Sequence, residues 1–401
     1  MRILLLTQVA VWPADAGPKV KTLQVLRYLA QQHELVYCTF VRSQSEIEAL
    51  SELETLCRLI VPVLLKRSKL RDAGFFVQSL LSGDSFLLRR DEHVEMRTVV
   101  RELLRKECIE LLYVDQLNMM RFVPEAWSGP LILDEHNAVW QLVERLRANT
   151  SQIVLRRFLR REVRLLRHLE GEACRRAGQV LAVSEQDKQA LGLVAGDDVR
   201  IDVIPITLDV ERFTFIRQAR SPQHARLLSI GTLYWPPNSE GLCWWLREGY
   251  GLLRERCPDV VYNIVGARPP RSLRKLAERM AGVRLHGYVA ESTPFWRSTT
   301  LLAVPLRSGG GVRVKILEAM AMGVPIVTTS IGCEGLQVVD GRHLLIADTA
   351  EAFAAACAII IQDRELAQAM AQNALQLVRE QHDSATVLSK LDSIIARLVD
   401  R

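Results

Sequence analysis

The sequence lacks the features that mark several large classes of protein. No apolar run approaches the 18 residues of a membrane-spanning helix, since the longest, 60–65 and 353–361, are too short. The eight cysteines stand singly, which argues against a disulfide framework or a zinc site and predicts small buried side chains. The start of the chain has one charge, Arg2, and no small-residue cleavage site, so we predict a cytoplasmic protein.

Motifs for the common cofactors and metals are absent as well. Neither a Gly-x-x-x-x-Gly-Lys-Ser/Thr P-loop nor a Gly-x-Gly-x-x-Gly dinucleotide fingerprint occurs. There is also no Asp-x-Asp pair and no His-Glu-x-x-His motif, so we predict chemistry without a metal ion or other cofactor. The net charge of +6 is too small by itself to indicate a nucleic-acid partner.

What the sequence does contain is an alternation of short apolar runs with segments of helical periodicity. That pattern is typical of parallel sheets with crossover helices, and 401 residues suffice for two such domains. In the first half the predicted strands are 3–8, 35–40, 111–114, 131–133, 179–183 and 203–206. The pattern restarts with predicted strands at 225–231, 260–265, 283–285, 301–305 and 325–328. We therefore predict an α/β protein with two Rossmann-like, doubly wound domains.

The domain boundary is predicted near residue 210. Residues 208–223 contain Pro222 and several charges, as linkers do. This gives an N-terminal domain at 1–210, a C-terminal domain at 211–380 and a C-terminal helix at 381–401. Helical spacing alone leaves open whether that last helix caps the second domain or crosses back to the first.

The segment from Pro305 to Pro325 predicts a phosphate site. A strand is followed by three glycines, Gly309, Gly310 and Gly311, and by a helix predicted from about residue 312 to Gly323. A glycine loop that opens a helix presents free backbone N–H groups and the positive end of the helix dipole to an anion.

Charged side chains follow this glycine loop. Arg313 and Lys315 are predicted in the first turn, where cations oppose the dipole unless an anion offsets them. Glu318 is predicted on the same side as Lys315, where its carboxylate suits the paired hydroxyls of a ribose. The alternative is a plain Lys–Glu pair on a solvated helix.

Polar residues also end a predicted strand of the first domain, where residues 133–137 read Leu-Asp-Glu-His-Asn. The carboxyl ends of parallel strands are where open α/β sheets bind ligands. We single out His136 and Asp134, and the alternatives are a histidine that caps the next helix and an Asn137 that serves as its N-cap.

The sequence resembles the family-4 glycosyltransferases. The strongest match is residues 309–323, followed by 325–328 and Gly332 with 334–336; weaker matches are 181–185, 203–205, 229–232 and 265–266. The resemblance implies a GT-B architecture of two facing domains with an interdomain cleft, a retaining mechanism and a nucleotide-sugar donor.

The resemblance also implies roles for single residues. Glu318 would bind the donor ribose, and Gly231 would lie in the donor site. Many family members have a glutamate where this chain has Gly310, so amides of the glycine loop would replace that contact. Many also have an Arg and a Lys after the strand that ends at Gly231, and we infer that Arg313 and Lys315 replace them as diphosphate contacts.

For the first domain, the resemblance implies that His136 approaches the donor sugar. Asp134 would orient His136 or contact the acceptor, with Asn137 beside it. The loop from Trp12 to Lys21 would lie between donor phosphate and acceptor, with a phosphate contact from the backbone of Gly17. Lys19 and Lys21 are interpreted as surface charges.

The segment from Arg145 to Arg176 is strongly basic, with ten arginines against three glutamates. Apolar residues recur at helical spacing, which predicts one basic amphipathic helix. Two interpretations stay open: peripheral contact with anionic lipid at the inner face of the membrane, or a solvated basic face.

These observations predict an enzyme that transfers a sugar from a nucleotide diphosphate to a glycan or lipid-linked acceptor. Exopolysaccharide or other cell-envelope glycan assembly is the setting that the resemblance implies. Two alternatives stay open: a nucleotide-sugar epimerase or hydrolase on the same fold, and a non-catalytic binding protein that keeps the fold.

Overall fold

The computed structural model describes residues 1–14, 17–214 and 225–399. They form two compact units. Unit 1 runs from Met1 to Thr207 and resumes at Val387, and unit 2 is Leu208–Thr386. The predicted linker, 208–223, is described only up to residue 214, and its remainder lies outside the described residues. Leu208 itself is buried and its N–H donates to the carbonyl of His382 (2.9 Å), so it belongs to unit 2.

Unit 1 is built on a seven-stranded parallel sheet in the order β3-β2-β1-β4-β5-β6-β7. Its strands are β1 Arg2–Thr7, β2 Glu34–Val41, β3 Leu59–Leu64, β4 Leu111–Asp115, β5 Leu131–Glu135, β6 Gln179–Ala182 and β7 Ile201–Val203. Because β1 is buried on both faces by crossover helices, its residues 3–6 are all apolar. The strand order reverses between β1 and β4, which pair from Ile3 with Leu111 to Leu6 with Val114. Open sheets bind ligands beyond the carboxyl ends of strands at such a reversal.

The helices of unit 1 cover both faces of this sheet. They are α1 Gly17–Leu29, α2 Gln44–Ala49, α3 Lys69–Ser82, α4 Phe86–Arg89, α5 Val94–Lys106, α6 Leu117–Met120, α7 Val139–Asn149, α8 Ile153–Arg176 and α9 Glu185–Ala195. A 3-10 turn follows α2 at Leu50–Leu53.

Unit 2 repeats the same topology with six parallel strands in the order β10-β9-β8-β11-β12-β13. The strands are β8 Arg226–Ile230, β9 Val261–Val265, β10 Val283–Gly287, β11 Leu301–Val304, β12 Ile326–Thr328 and β13 Leu345–Ile346. The reversal falls between β8 and β11, directly before Gly231 and Pro305. The predicted phosphate loop therefore stands at the reversal.

The helices of unit 2 begin after a 3-10 turn at Glu211–Phe213. They are α10 Pro236–Trp244, a π-helical turn Trp245–Gly249, α11 Tyr250–Arg256, α12 Arg271–Glu278, α13 Thr293–Ser298, α14 Val314–Ala321, α15 Ala350–Gln362 and α16 Arg364–His382. The short α17, Ser384–Leu388, leads into α18, Lys390–Val399. Helix α18 belongs to unit 1, where its Leu391, Ile394 and Ile395 share one apolar cluster with Ile3 and Leu5. None of the described helices has the length and apolar content that crossing a bilayer requires.

The structure differs from the sequence-based expectations in five places. Strands β3 and β13 were not predicted, and β7 ends at Val203, where the predicted strand began. Cys108 is exposed, whereas the other seven cysteines are buried as predicted. The segment 145–176 is two helices rather than one, because residues 150–152 leave the helical conformation. Thr150 and Ser151 are residues whose short polar side chains compete with helical hydrogen bonds.

Candidate functional site

The loop between β11 and α14 has a backbone that needs glycine. Gly309 and Gly311 have φ values of 103° and 82°, which side chains other than glycine rarely adopt. A β-carbon on Gly309 would also lie 3.0 Å from Nη2 of Arg313. Helix α14 begins at Val314, so Arg313 is its N-cap residue and Lys315 lies in its first turn. The helix thus starts two residues later than predicted.

Arg313 is held across this loop with part of its guanidinium unsatisfied. Nη1 donates to the carbonyl oxygen of Gly310 at 2.7 Å. Nε and Nη2 are buried and have no hydrogen-bond partner among the described residues. Burial lowers the pKa of Arg313, and the carboxylate of Glu334 partly opposes that shift. A half-buried, incompletely bonded guanidinium beside the glycine loop is suited to an anion.

Lys315 lies beside Gly231. Its Nζ donates to Oδ1 of Asn238 at 3.2 Å, and Nδ2 of Asn238 donates to the carbonyl of Thr232 at 2.9 Å. A β-carbon on Gly231 would lie 3.2 Å from Lys315 Nζ. Gly231, Asn238 and Lys315 line one small cavity at the reversal of the sheet. Two predicted donor-site residues, Gly231 and Lys315, are 84 positions apart in sequence and meet here.

The structure argues against the alternative of a plain Lys–Glu pair. Among the described residues, Lys315 makes no ion pair with Glu318, and its hydrogen bond goes to Asn238 instead. Burial lowers the pKa of Lys315 to about 8, with Arg313 adding to the shift and Glu318 opposing it. Burial raises the pKa of Glu318 to about 7, against the charges of Arg212 and Lys315. The protein thus offsets the charge of neither group fully. A ligand with groups that bind the ammonium and the carboxylate would stabilise both charged forms.

The carboxyl edge of the unit 1 sheet brings His136 to Asp115, the last residue of β4. Nε2 of His136 lies 2.9 Å from Oδ1 of Asp115, and both side chains are nearly fully buried. Neither ring nitrogen makes an aligned hydrogen bond to a described residue. Thr22 of α1 donates its hydroxyl to the same Asp115 oxygen at 2.9 Å. The carboxylate beside His136 is thus Asp115, whereas the sequence analysis named Asp134, with orientation of His136 as one of its two possible roles.

Asp134 has other partners, and they correct the interpretation of Lys21. Nζ of Lys21 is ion-paired with Oδ1 of Asp134, and both side chains are at most 1% exposed. The hydroxyl of Tyr113 donates to Oδ2 of Asp134 at 2.7 Å. Lys21 is therefore no surface charge, because α1 lies over the edge of the sheet and directs Lys21 inward. The predicted acceptor contact of Asp134 stays a prediction, and it would have to form at a fully buried carboxylate.

Helix α7 is capped by a carboxylate and not by Asn137 or His136. The helix begins after Ala138, which makes no side-chain cap. Glu170 of α8 accepts from the N–H groups of Val139 (2.7 Å) and Trp140 (3.0 Å). Burial raises the pKa of Glu170 to about 7. With capping assigned to Glu170, both alternatives to a ligand-binding role for His136 and Asn137 lose their structural basis.

Asp115, Asp134 and His136 each offer one ligand atom, and these atoms lie within 4.8 Å of one another. Such a set could hold a metal ion by composition. Here, however, the ammonium of Lys21 and the hydroxyls of Tyr113 and Thr22 already donate to the two carboxylates. The protein itself offsets the charge of this set.

The predicted loop 12–21 is only partly a loop. Helix α1 begins at Gly17, and residues 15 and 16 lie outside the described residues. Gly17 is thus placed at a helix N-terminus, and its predicted phosphate contact stays a prediction. Lys19 donates to the carbonyl of Pro13 at 3.3 Å.

Comparisons with known proteins were made at two levels, against a family model and against solved structures. The family model described as Glycosyl transferases group 1 matches residues 224–363, the stretch that contains the glycine loop, Arg313, Lys315 and Glu318. The match is confined to this stretch of the chain. The resemblance to glycosyltransferases is confirmed, whereas assignment to family 4 within them stays a prediction.

One curated relative also matches the chain. It is described as an uncharacterized 44.6 kDa protein in the cps region of Klebsiella pneumoniae, and it is 26% identical over 175 residues. The match covers 42% of this chain and 45% of that protein. The chain thus aligns with less than half of the length of this relative.

Solved structures match the whole chain, and at their low identity they show the fold. Sucrose-phosphate synthase from Thermosynechococcus elongatus has a TM-score of 0.71 and 15% identity, with 99% of both chains covered. The Anabaena protein HepE, solved in complex with UDP, has a TM-score of 0.70 and 16% identity over 99% of this chain and 100% of its own. The predicted GT-B class of two α/β domains is confirmed.

Four residues of these sites were missed or misinterpreted from the sequence: Asp115, Lys21, Thr22 and Tyr113. Asp115 stands directly after the predicted strand 111–114, so the rule that selected residues 133–137 would also have selected it. Nothing local distinguishes Lys21 or Thr22 from other polar residues of an amphipathic helix.

Proposed function

We propose that the protein is a retaining, family-4-type glycosyltransferase. It takes a sugar from a nucleoside diphosphate donor bound by unit 2 and transfers it to a glycan or lipid-linked acceptor bound by unit 1. The observation that supports this most is the pair of half-buried cations, Arg313 and Lys315, whose charge no neighbouring carboxylate fully offsets, beside the backbone of Gly309–Gly311. A leaving diphosphate develops negative charge, and preorganised cations and amides are the groups that stabilise it.

The roles of the remaining residues follow from the same proposal. Glu318 accepts hydrogen bonds from the ribose hydroxyls, and Gly231 leaves room for the donor next to Lys315. In unit 1, His136 meets hydroxyls of the substrate, and Asp134, Asn137 and Gly17 lie on the acceptor side. The diphosphate is held by cations of the chain itself, so we propose donor binding without a metal ion.

Donor binding can be tested by thermal unfolding. We expect one nucleotide family among UDP, GDP, ADP and dTDP, with its sugar conjugates, to raise the unfolding temperature of unit 2 in the presence of EDTA. At a ligand concentration about 100 times the dissociation constant, the stabilisation is about 2.7 kcal/mol, or several degrees. HepE, solved with UDP and with UDP-glucose, makes UDP the first candidate.

Matched variants make this measurement specific. Glu318→Ala should abolish the shift, whereas Glu278→Ala, an exposed glutamate of α12, should retain it. If no nucleotide stabilises the wild-type protein, with or without magnesium, the donor site is refuted. A shift that appears only with magnesium would refute metal-independent binding alone.

The affinity for the nucleoside diphosphate should be highest between pH 7 and 8. Lys315, with a pKa of about 8, must be charged to attract the diphosphate, so affinity is retained below that pH and lost above it. Glu318, with a pKa of about 7, must be ionised to accept the ribose hydroxyls, so affinity falls below that pH. Each limb should approach roughly one decade per pH unit.

Calorimetric titration at a series of pH values checks this profile. Lys315→Met should lose the alkaline limb and Glu318→Gln the acid limb, while Lys275→Met on α12 should keep both. A wild-type profile that is flat from pH 6 to 9 would contradict the assignment of both residues to the ligand.

Two other functions that the same fold allows would leave different products from the sugar nucleotide. An epimerase or hydrolase would convert the free sugar nucleotide without any acceptor. A non-catalytic binding protein would bind the nucleotide without turnover. Product analysis of the stabilising sugar nucleotide, incubated with and without candidate glycan acceptors, separates both from a transferase.

The acceptor side of the proposal rests on less specific support. The relative in the cps region favours a role in exopolysaccharide or envelope glycan assembly. An acceptor that is lipid-linked would be reached at the inner face of the membrane, and we propose that the basic segment 145–176 makes that peripheral contact.

A further inference from the structure

A buried aspartate of unit 1, Asp91, brings side chains from three strand ends together. It lies shortly before α5 and is 1% exposed. Its Oδ2 accepts from Nε2 of Gln8, directly after β1, at 2.7 Å, and from Nδ2 of Asn118, in the helix after β4, at 2.8 Å. Its Oδ1 is ion-paired with Arg67, which follows β3. Because the strand order reverses between β1 and β4, this cluster lies at the edge where open sheets bind ligands.

The two amides of this cluster keep their oxygen atoms available. A carboxylate only accepts hydrogen bonds, so Gln8 and Asn118 both turn their NH₂ groups toward Asp91. Among the described residues, none donates to Oε1 of Gln8 or to Oδ1 of Asn118, and both residues are half-buried. Amide oxygens that a buried carboxylate holds in place are suited to accept hydrogen bonds from the hydroxyls of a sugar.

Arg90, next to Asp91 in the chain, adds a cation to the cluster. Its Nε is buried without a hydrogen-bond partner, and no carboxylate of the described residues is ion-paired with its guanidinium. Burial lowers the pKa of Arg67, the charges of Arg90 and Arg42 lower it further, and Asp72 opposes the shift. Asp91 offsets the charge of Arg67, whereas Arg90 keeps a planar guanidinium that can bind an anion.

The cluster adjoins the pair of His136 and Asp115 through the end of β4. Between Asp115 and the helix that contains Asn118 stands Gln116, with φ of 73° and ψ of 151°. Residues other than glycine rarely adopt this backbone conformation, and where they do, a ligand site is often near. On one side of Gln116 the carboxylate of Asp115 lies beside His136, and on the other side Asn118 bonds to Asp91.

We propose that Gln8, Asn118 and Arg90 form a subsite for an acidic sugar residue of the acceptor. The two amide oxygens accept hydrogen bonds from the hydroxyls of that sugar, and the guanidinium binds its carboxylate or phosphate group. A free inorganic anion would use Arg90 but gain nothing from the amide oxygens, and a neutral sugar would leave Arg90 without an anion. The inference rests on the proposed function, which it deepens from a glycan acceptor to an anionic one.

Binding of three simple glycosides to the full chain, without any nucleotide, tests the subsite. The probes are methyl β-D-glucuronide, methyl β-D-glucoside and methyl β-D-glucoside 6-phosphate, titrated by saturation-transfer NMR. The wild type should bind the better acidic glycoside at least about tenfold more tightly than the neutral one. Whether the glucuronide or the phosphate binds more tightly identifies the anion as carboxylate or phosphate.

Variants assign this preference to single side chains. Arg90→Gln should bind acidic and neutral glycosides about equally, and Arg90→Lys should retain part of the preference because it keeps the charge. Asn118→Ala should weaken the binding of all three glycosides. Arg101→Gln removes the same charge from an exposed position of α5 and should keep the full preference.

The outcomes separate this inference from the proposed function. Equal binding of acidic and neutral glycosides to the wild type, equal loss of preference in Arg101→Gln and Arg90→Gln, or no binding of any glycoside would each overturn the subsite. The thermal shift with nucleotide should be unchanged in Arg90→Gln. A wild type that nucleotides stabilise but that shows no preference refutes the subsite alone. A wild type that prefers acidic glycosides but binds no nucleotide keeps the acidic-sugar site and refutes the transferase.

Discussion

Replacing Lys315 with methionine is expected to lower turnover at least about tenfold, and up to roughly the hundredfold or more that loss of one oxyanion-stabilising donor costs other enzymes. Methionine keeps the length of the side chain but removes the ammonium next to Gly231. The hydrogen bond from this ammonium to Asn238 contributes about 1.5–3 kcal/mol to folding stability, because its donor is charged, but it makes no contact with the substrate. A tenfold loss of turnover in the folded variant must therefore come from the interaction with the diphosphate. Turnover is measured as release of the nucleoside diphosphate from the sugar nucleotide that stabilises the wild type.

The exposed lysine of α12 provides the matched control. Lys275→Met removes the same charge from unit 2 and should leave turnover unchanged. Glu318→Ala should lower turnover by at least about tenfold as well, through loss of the ribose contact rather than of leaving-group stabilisation. Normal turnover in purified Lys315→Met would remove this residue from the site and make the inherited but non-catalytic fold the better interpretation.

The donor loop could be predicted because its determinants are local in sequence. Three glycines after a strand, then cations at the start of a helix, define backbone conformation and charge within a few residues. The structure adds the partner that local pattern could not reveal, Asn238, which holds Lys315 toward Gly231. It also moves Arg313 out of the helix to the N-cap position.

The contacts of the unit 1 site could not be predicted in this way, because its residues are far apart in sequence. Lys21 and Asp134 are 113 positions apart, and Thr22 and Asp115 are 93 apart. Such contacts depend on how α1 lies over the reversal of the sheet, which helical periodicity does not specify. The sequence therefore indicated the edge of the sheet on which His136 stands, but it did not indicate Asp115 as the carboxylate beside it.

The strands were predictable wherever they are central and fully apolar. Strand β3 was missed because it lies at the edge of the sheet and contains Pro62, which pairs in register with Thr39. Proline lacks the N–H that a central strand needs and is confined to edges. Strand β13 is a two-residue edge strand, too short to show any periodicity.

Replacing Lys21 with methionine is expected to lower the free energy of unfolding of unit 1 strongly. Lys21→Met should destabilise unit 1 by about 3–5 kcal/mol, because it leaves the fully buried carboxylate of Asp134 without its cation. The hydroxyl of Tyr113 continues to donate to Asp134 but brings no charge. Chemical denaturation of the full chain, followed by a signal from unit 1, measures the loss. Lys19→Met changes a less buried lysine two residues earlier and should lower the free energy of unfolding far less.

The double variant Lys21→Met/Asp134→Asn decides what the ion pair contributes. A neutral amide keeps the shape of Asp134 and its hydrogen bond with Tyr113, so the double variant should recover most of the stability that Lys21→Met loses. Recovery would mean that burial of an unpaired charge, rather than loss of packing, caused the defect. If Lys21→Met proves as stable as the wild type, the pair does not hold α1 to the sheet. The placement of Thr22 on Asp115, and through it the orientation of His136, would then need another cause.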